Sequence, residues 1–479
     1  MEQVKIADHK RFTAQGKEFV FLTGTGTIFE LEPESPAGSV LDHGRAGQAF
    51  TQSDLFTLVQ GTDREKQALW TDLLAGHVLI DERAPAREQP EYPADTPINT
   101  LVLHVTRACN LMCRYCYHDD GNGTHFSSAS MDRAVARQAV DFLFDNSGNL
   151  PALVLVFFGG EPLLNPKLIS ETIAYADKKA AGSGKKISYA MTTNGTILTD
   201  KVIAFIREHR IGMTVSIDGT RAAHDRFRRF PDGSPSYDVI LPGVKRLLDT
   251  GTAKPVVARV TLAKAVGDIH QSLAHLLDLG FAEAGFSPVT TSEEGFMLDK
   301  GQMDVLLDQF QTLSDLFVEM ALENRFLGFT NLVDLLVNLH EGEVRHYPCG
   351  AGMGMFSVDP QGGLFLCQRL THDQAAHMGD VFNGFNRTKL AGFRKDAGLS
   401  NKKPCQGCWA ASICAGGCYH EAGIRQGSLV SPNLHYCQWI KSWIETGLNA
   451  YARLAKEAPA FLDNLSLARG HEPLPESII

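Results

Sequence analysis

The chain has 479 residues, of which 44% are hydrophobic and 21% are charged, and its formal net charge at pH 7 is −10. This length predicts two or three domains with buried cores, and no apolar run is long enough to predict a transmembrane helix. The acidic balance argues against a nucleic-acid surface, because phosphate binding needs a stripe of lysine and arginine. We therefore expect a protein, peptide or small-molecule partner, with no nucleic acid and no membrane.

Residues 1–90 are predicted to form a module of their own. Two short strands, Phe19 to Leu22 and Thr27 to Leu31, flank a Gly24-Thr25-Gly26 turn, and helices are predicted near 35–42, 52–59 and 64–75. No third glycine follows Gly26, so the pair of glycines indicates a hairpin turn rather than a dinucleotide-binding loop. A stretch rich in proline and charge, 81–93, is predicted to be a linker.

Strands and helices alternate from Asn99 to about Thr290. This alternation predicts an α/β fold of parallel strands covered by helices, in which ligands bind at the carboxyl ends of the strands. Further helices are predicted at 131–144, 166–180, 302–323, 332–339 and 439–455. The predicted strands are 101–105, 153–158, 187–191, 213–217, 256–262 and 284–289.

Three cysteines, Cys109, Cys113 and Cys116, follow the first of these strands in C-x-x-x-C-x-x-C spacing. Three thiolates can hold three irons of a cubane cluster and leave the fourth iron open to a small molecule. A structural zinc site is the alternative, but zinc loops usually show two close pairs of ligands. The spacing therefore indicates redox chemistry on a bound cofactor.

The other seven of the ten cysteines lie in the last third of the chain. A pair of zinc ribbons, or disulfides in a secreted protein, are alternatives to iron–sulfur ligation. The start, Met1 to Lys10, has no apolar signal region, so we expect a reducing, cytoplasmic location and metal-ligating thiols. These seven cysteines are Cys349, Cys367, Cys405, Cys408, Cys414, Cys418 and Cys437.

Polar motifs follow the next three strands. Gly159-Gly160-Glu161-Pro162 offers glycines that let a ligand approach the backbone, and a carboxylate that can accept bonds from an ammonium group. Thr192 to Gly195 and Ser216 to Gly219 end the third and fourth strands with side chains that suit hydroxyls or a carboxylate. We expect these motifs to meet around one ligand.

The three-cysteine loop, Tyr115 before its last cysteine and its place after a first strand resemble the radical S-adenosyl-L-methionine (SAM) enzymes. The resemblance implies a partial (β/α)6 barrel at 96–330, with one catalytic 4Fe-4S cluster and SAM. It places Gly159, Gly160 and Glu161 at the amino group of SAM and Tyr115 against its adenine. The other SAM contacts that it implies are Ser216 and Arg228, with Asn194 and Asp218 as further candidates.

The cysteine spacing of the last third resembles the SPASM extension of peptide-modifying radical SAM enzymes, here at 331–479. The strands and helices of 1–90 resemble the winged-helix-like peptide-recognition module that many such enzymes carry. The resemblance implies two auxiliary 4Fe-4S clusters, three clusters in all. One auxiliary cluster would take Cys405, Cys408, Cys414 and Cys437, and the other Cys349, Cys367 and Cys418.

Three such clusters, one of them with an iron open to SAM, need one cysteine more than the ten present. One auxiliary iron should therefore be open or carry another ligand, for which His346 and Glu343 are the nearest candidates. An open iron could bind a substrate thiolate.

Acid–base candidates lie beside a predicted cluster ligand. His420 and Glu421 follow Cys418 directly. Some relatives carry an aspartate base after the second auxiliary cysteine, but this chain has Gln368 there, so that role is not carried over. Asp359 to Gly362 is predicted to be a turn.

Five segments together resemble the maturation proteins of quinohemoprotein amine dehydrogenase: 157–163, 259–262, 286–289, 348–352 and 418–421. This resemblance implies a polypeptide substrate, the small cysteine-rich dehydrogenase subunit, and thioether cross-links from cysteine sulfur to a methylene carbon of aspartate or glutamate. A flavodoxin or ferredoxin would supply electrons. The alternatives are another SPASM enzyme, such as a ribosomal peptide cross-linker or a sulfatase-type oxidase, and a zinc-binding interaction protein.

Overall fold

The computed structural model describes residues 4–43, 47–83, 92–93, 95–117, 129–264 and 267–470. Most of the predicted linker at 81–93 lies outside the described residues. Across the described ranges, no helix combines the length and the apolar character needed to cross a bilayer.

Residues 4–81 form two three-stranded antiparallel sheets and three helices. The predicted hairpin and all three predicted helices are present, with helix bounds within one residue of the prediction. Capping boxes explain two of the helix starts: Thr51 with Asp54, and Thr62 with Glu65, exchange bonds between side chain and backbone N–H. The elements are β1 (Val4–Ile6), β2 (His9–Ala14), β3 (Lys17–Leu22), β4 (Ile28–Leu31), α1 (Pro36–His43), β5 (Ala49–Phe50), α2 (Gln52–Leu58), α3 (Asp63–Ala75) and β6 (Leu79–Asp81).

The β2–β3–β4 sheet lies between two hydrophobic cores. Phe19 and Phe21 belong to the large core of the chain, whereas Val20 and Leu22 belong to the small core of the N-terminal region. Successive side chains of a strand point to opposite faces, so β3 joins both cores. Lys10 adds an ion pair to Glu445 of the C-terminal third at 3.2 Å. The N-terminal region is therefore packed onto the rest of the chain and is not merely tethered to it.

The predicted parallel sheet is confirmed. Its six strands pair in chain order, each parallel to the next, and each lies within two residues of the predicted bounds. The strands are β7 (Thr100–Thr106), β8 (Ala152–Gly159), β9 (Lys186–Thr193), β10 (Gly212–Ser216), β11 (Val257–Leu262) and β12 (Glu283–Pro288). The helices between them are α4 (Arg133–Asp145), α5 (Pro166–Ser183), α6 (Asp200–Glu208), α7 (Arg221–Phe227), α8 (Tyr237–Asp249) and α9 (Ile269–Asp278).

Four strands of the last third extend this sheet to ten. Beyond β7 come β13 (Met355–Val358), which is parallel to it, and then the antiparallel strands β14 (Gly363–Phe365), β15 (His377–Asp380) and β16 (Gly384–Phe385). The predicted turn before β14 is present, because Asp359 Oδ1 accepts bonds from the N–H groups of Gln361 and Gly363. The extension places Cys367, just after β14, on the same sheet as the loop after β7.

Long helices cover the far side of the cysteine-rich third. Phe310, Phe329 and Trp443 meet edge to face, with ring centroids 5.1 to 6.0 Å apart, where three of these helices cross. The predicted helices at 302–323, 332–339 and 439–455 are all present. The helices are α10 (Lys300–Leu322), α11 (Thr330–His340), α12 (Arg387–Ala397), α13 (Ala411–Cys414), α14 (Tyr419–Gln426), α15 (Cys437–Glu457) and α16 (Pro459–Ala468).

We expect Phe21→Ala to destabilise the whole chain. Phe21 is 1% exposed and lies in the large core, so its truncation should lower the free energy of unfolding by about 3 to 5 kcal/mol, measured by urea denaturation. Phe29→Ala is the control, because Phe29 is only partly buried and packs against the small core. An unchanged urea midpoint for Phe21→Ala would show that the N-terminal region is not docked.

Candidate active site

The loop after β7 opens onto a cavity of about 370 Å³ at the carboxyl ends of the parallel strands. Its backbone is held from the segment after α7: Met112 N–H donates to Arg229 O at 2.7 Å, and Arg114 N–H donates to Phe227 O at 3.1 Å. The cysteines that line the cavity are Cys109, Cys113 and Cys116. The three thiols that the sequence singled out therefore share one site.

The chemistry of these thiols fits a bound metal cluster. Burial is the largest effect on Cys109 and raises its pKa to about 12, and burial also raises the pKa of Cys113. Free thiols with raised pKa values stay protonated at pH 7 and are poor nucleophiles, whereas metal binding removes the proton. Leu111 N–H and Asn194 Nδ2 donate to Cys109 Sγ at 3.4 and 3.6 Å, and bonds of this kind to sulfur tune iron–sulfur clusters.

The glycines after β8 pack on the backbone of the cysteine loop. A Cβ on Gly159 would lie 2.1 Å from Thr106 O, and one on Gly160 would lie 2.2 Å from Ala108 O. Gly159 also has a φ of 140°, which favours glycine. Both residues line the cavity. Glycine is therefore required at both positions because the turn after β8 packs directly on the cysteine loop. The sequence had suggested only that a ligand approaches the backbone there.

Glu161 joins the end of β9 to the turn after β8. It is completely buried, and its carboxylate accepts bonds from Asn194 N–H at 2.7 Å, Thr193 Oγ1 at 2.8 Å and Leu163 N–H at 3.1 Å. Burial raises the pKa of Glu161 to about 7, although the three hydrogen bonds act to lower it. The carboxylate is thus occupied by the protein, and Glu161 is not among the residues that line the cavity.

Asp218 holds two side chains of the cavity wall. It accepts a hydrogen bond from Tyr115 Oη, and Arg228 Nε lies 3.0 Å from its Oδ2 as a buried ion pair, although the N–H does not point at the oxygen. The Arg228 guanidinium also stacks over the Tyr115 ring at 5.4 Å. Thr261 N–H donates to the other oxygen of Asp218 at 3.0 Å. Asp218 therefore positions Tyr115 and Arg228 and does not itself line the cavity.

The remaining candidates for SAM contact lie on the cavity wall. Asn194 is fixed there by Thr196, which donates to Asn194 Oδ1 from its N–H at 3.0 Å and from its hydroxyl at 2.6 Å. The sequence-predicted residues that line the cavity are Tyr115, Gly159, Gly160, Asn194, Ser216 and Arg228.

Six of the seven cysteines of the last third, all except Cys367, line a second cavity of about 590 Å³. Their electrostatic neighbours divide the seven into two groups. Burial raises the pKa of Cys414 to about 11 and that of Cys367 to about 12. Neighbouring thiolates add to both rises. Those acting on Cys414 are Cys405, Cys437 and Cys408, and those acting on Cys367 are Cys418 and Cys349.

A turn between Cys414 and Cys418 encloses a buried lysine. Ala415, Gly416 and Gly417 all have positive φ, and a Cβ on Gly416 would lie 2.7 Å from Lys402 Cδ. Lys402 is 2% exposed and donates to Ala415 O at 3.0 Å. Burial lowers the pKa of Lys402, although the charges of cysteines from both groups act in the opposite direction. The lysine thus lies between the two groups, and no sequence motif identified it.

Among the described residues, no three His, Cys, Asp or Glu side chains are close enough to hold a single metal ion. The cysteines of a four-iron cluster bind different irons, so they stand farther apart than the ligands of one ion.

The acid–base candidates differ in their surroundings. His420 lines the first cavity, with its ring 6.0 Å from that of Tyr117. Burial first, and Arg369 second, lower its pKa to about 4. Glu421 lines the second cavity instead and forms a buried ion pair with Arg425 at 2.7 Å.

The two non-cysteine candidates for the open iron are not on the cavity walls. Glu343 pairs with Arg345 at 3.2 Å, and neither Glu343 nor His346 lines the second cavity. Pro348 and Cys349 of the same segment do line it.

The two cavities share one wall, which sequence reasoning did not assign to the site. Its residues line both spaces, and two of them are arginines. The shared residues are Arg259, Ser287, Pro288, Thr290 and Arg369. One sequence feature could have indicated this wall: Arg259 is a charged residue within the mostly apolar strand β11.

Comparisons with known proteins agree with this site. Residues 103–276 match the radical SAM superfamily model. A serine-type anaerobic sulfatase-maturating enzyme of Bacteroides thetaiotaomicron is 31% identical over 161 residues, which are 33% of this chain but only 38% of that relative. The radical SAM cyclopropyl synthase TigE of Paramaledivibacter caminithermalis is 23% identical over 366 residues, 72% of each chain.

The fold also matches a solved structure. The structure of anSMEcpe with bound AdoMet and the Cp18Cys peptide superposes with a TM-score of 0.63 at 20% identity, over 76% of this chain and 99% of that one. The radical SAM family implies one 4Fe-4S cluster and SAM. The parallel sheet and the three-cysteine loop at its carboxyl edge agree with the superfamily match over residues 103–276, and the chain has the α/β fold of radical SAM enzymes.

Proposed function

We propose that this enzyme is a peptide maturase that forms thioether cross-links in the small subunit of quinohemoprotein amine dehydrogenase. Each link would join cysteine sulfur to a methylene carbon of aspartate or glutamate. The observation that carries this proposal is the grouping of the seven C-terminal cysteines into a set of four and a set of three, behind the wall of the catalytic cavity.

The grouping supports two auxiliary clusters. The set of four would complete one cluster, and the set of three would leave one iron without a protein thiolate. Both candidates that could close that iron, Glu343 and His346, are off the cavity wall. An iron of this set without a protein ligand would suit a substrate thiolate.

The reaction is an oxidation of the substrate by two electrons. A C–H bond and an S–H bond are lost and a C–S bond forms. When bound, a reduced 4Fe-4S cluster and SAM supply the abstraction of one hydrogen atom, and auxiliary clusters accept the remaining electron. The thiol proton leaves separately and needs an acceptor.

The chain's own residues divide the remaining work. Arg228 and Ser216, on the cavity wall, would bind the carboxylate of SAM, and the ring of Tyr115 would lie against its adenine. The backbone carbonyls around Gly159 and Gly160 would accept bonds from its amino group. His420 lines the catalytic cavity, where the C–S bond would form, and would accept the proton of a thiol that approaches the carbon there, because its lowered pKa keeps the ring neutral at pH 7. Glu421, paired with Arg425, would position α14.

The N-terminal region would bind the polypeptide. In the described part of the chain, β4 pairs with β3 alone, so its other edge can pair with an extended peptide. Docking of this region on the large core would hold the bound polypeptide at a fixed place relative to the cavity, which raises its effective concentration there. A flavodoxin or ferredoxin would supply the electrons.

A sulfatase-type oxidation is the second candidate, because a curated relative with that activity matches 161 residues of this chain. That reaction changes a single residue and forms no bond between two side chains. The two candidates therefore differ in whether a second substrate residue becomes linked.

Replacement of Cys109, Cys113 and Cys116 by alanine should remove about four irons from a total of about twelve in the reconstituted protein, and should abolish SAM cleavage. Iron analysis and the yield of 5′-deoxyadenosine measure the two effects. Replacement of Cys349 or Cys418 is the comparison, and should stop cross-linking more completely than SAM cleavage. Continued 5′-deoxyadenosine formation by the triple variant would contradict the catalytic assignment.

The modified subunit should lose about 2 Da for each cross-link, because two hydrogens leave, and its linked cysteines should resist both reduction and alkylation. Tandem mass spectrometry of the product measures the mass and locates the link. A substrate with its cysteines changed to serine is the control and should show no loss. A mass loss that survives this change would favour the sulfatase-type reaction.

His420→Gln should stop cross-linking while leaving SAM cleavage without substrate intact, whereas Glu421→Gln should lower stability instead. Because the pKa of His420 is about 4, its neutral form is present above that pH and is lost only below it. The rate of cross-linking should thus show no histidine step between pH 5.5 and 8, a range that lies about one unit or more above the pKa. Cross-linking by His420→Gln at the wild-type rate, or a wild-type rate that falls below pH 6.5 with a single titration step, would contradict this role.

A further inference from the structure

The wall between the two cavities carries two arginines from different parts of the chain. Arg259 comes from β11, and Arg369 follows Cys367 after β14. Both line the catalytic cavity and the auxiliary-cluster cavity. The two arginines therefore belong to one shared wall.

Arg259 has few partners for its charge. Its Nη2 donates to Ser287 Oγ, and within the described residues it forms no ion pair. The acidic group that acts on it most is Asp334, which itself pairs with Arg469 at 3.2 Å. Most N–H donors of the Arg259 guanidinium are thus left for another acceptor.

Arg369 is also without a carboxylate among the residues that the structure describes. Its guanidinium stacks on the Tyr117 ring at 5.6 Å. Burial first, and the charge of Arg369 second, lower the pKa of Arg259 to about 10, so the Arg259 guanidinium remains a cation at pH 7. Two guanidinium groups on one partly buried wall are unfavourable unless an anion joins them.

The fold keeps room for this pair. Gly285, on the neighbouring strand β12, has no side chain, and a Cβ there would lie 3.3 Å from Arg259 Nη1. The carboxylate of SAM does not need this wall, because Arg228 and Ser216 lie at the cavity wall near the three-cysteine loop. The anion that meets Arg259 and Arg369 is therefore expected to come from the substrate.

We propose that Arg259 and Arg369 bind the side-chain carboxylate of the substrate aspartate or glutamate whose methylene carbon is cross-linked. Planar guanidinium groups hold a carboxylate through paired bonds and so fix its direction. The adjacent methylene carbon then faces the catalytic cavity, while the substrate thiol reaches the second cavity. This inference rests on the proposed function and names the residues that select an acidic partner.

The test measures binding affinity while charge is removed either from the substrate carboxylates or from the two arginines. The reconstituted enzyme is titrated, without SAM, with the dehydrogenase small subunit and with a form whose acceptor aspartates and glutamates are asparagine and glutamine. We expect the amide form to bind the wild type roughly 10- to 100-fold more weakly, since bonds to charged groups are being lost. Arg259→Gln and Arg369→Gln should weaken the native form similarly but the amide form little further.

Two further variants separate the geometry of the contact from its charge and control for the loss of an arginine elsewhere. Arg259→Lys keeps the charge but loses the paired geometry, and should bind with intermediate affinity. Arg133→Gln removes a half-exposed arginine that pairs with Glu171 on the surface, and should match the wild type. Iron content is measured for each variant, so that loss of a cluster is separated from loss of binding.

Each outcome decides one question. Equal weakening of native and amide forms by the arginine variants, or equal binding of both forms to the wild type, would overturn the carboxylate site. Cross-linking of both forms at equal rates would do the same and leave the proposed function standing. Charge-dependent binding without any thioether would support the site and contradict the proposed function, and no binding of either form would overturn both.

Discussion

The buried carboxylate of Glu161 is the interaction on which the site depends. It links the carboxyl end of β9 to the turn after β8 through hydrogen bonds. Gly159 and Gly160, just before it, pack on the cysteine loop with no space for a side chain. Three strand ends are thereby fixed to one another within hydrogen-bond distance. The three cysteines can hold a cluster at a defined place only because this edge of the sheet is rigid.

The wall of the catalytic cavity away from that edge carries basic side chains. Arg259 and Arg369 line both this cavity and the cavity of the C-terminal cysteines, and the buried Lys402 lies between the two cysteine groups. In the mechanism that we propose, the two arginines would attract an anionic group of the substrate and so select its side chain.

The sequence predicted the parallel strands and the cysteine sites because long apolar runs and metal-ligand spacings are local signals. It did not predict β13, β15 and β16, which have two to four residues each and are held by pairing with neighbouring strands. A motif shows that Glu161 and Asp218 end strands, but it does not show which protein groups they contact. Arg259 becomes notable through its place between two cavities, and Lys402 through its burial, and both features depend on distant chain segments.

Anomalous diffraction at the iron edge from crystals of the reconstituted protein would locate every cluster. We expect three iron peaks: one at Cys109, Cys113 and Cys116, one at Cys405, Cys408, Cys414 and Cys437, and one at Cys349, Cys367 and Cys418 with an iron that no side chain binds. A single iron peak at the first loop, or zinc at either C-terminal group, would contradict it.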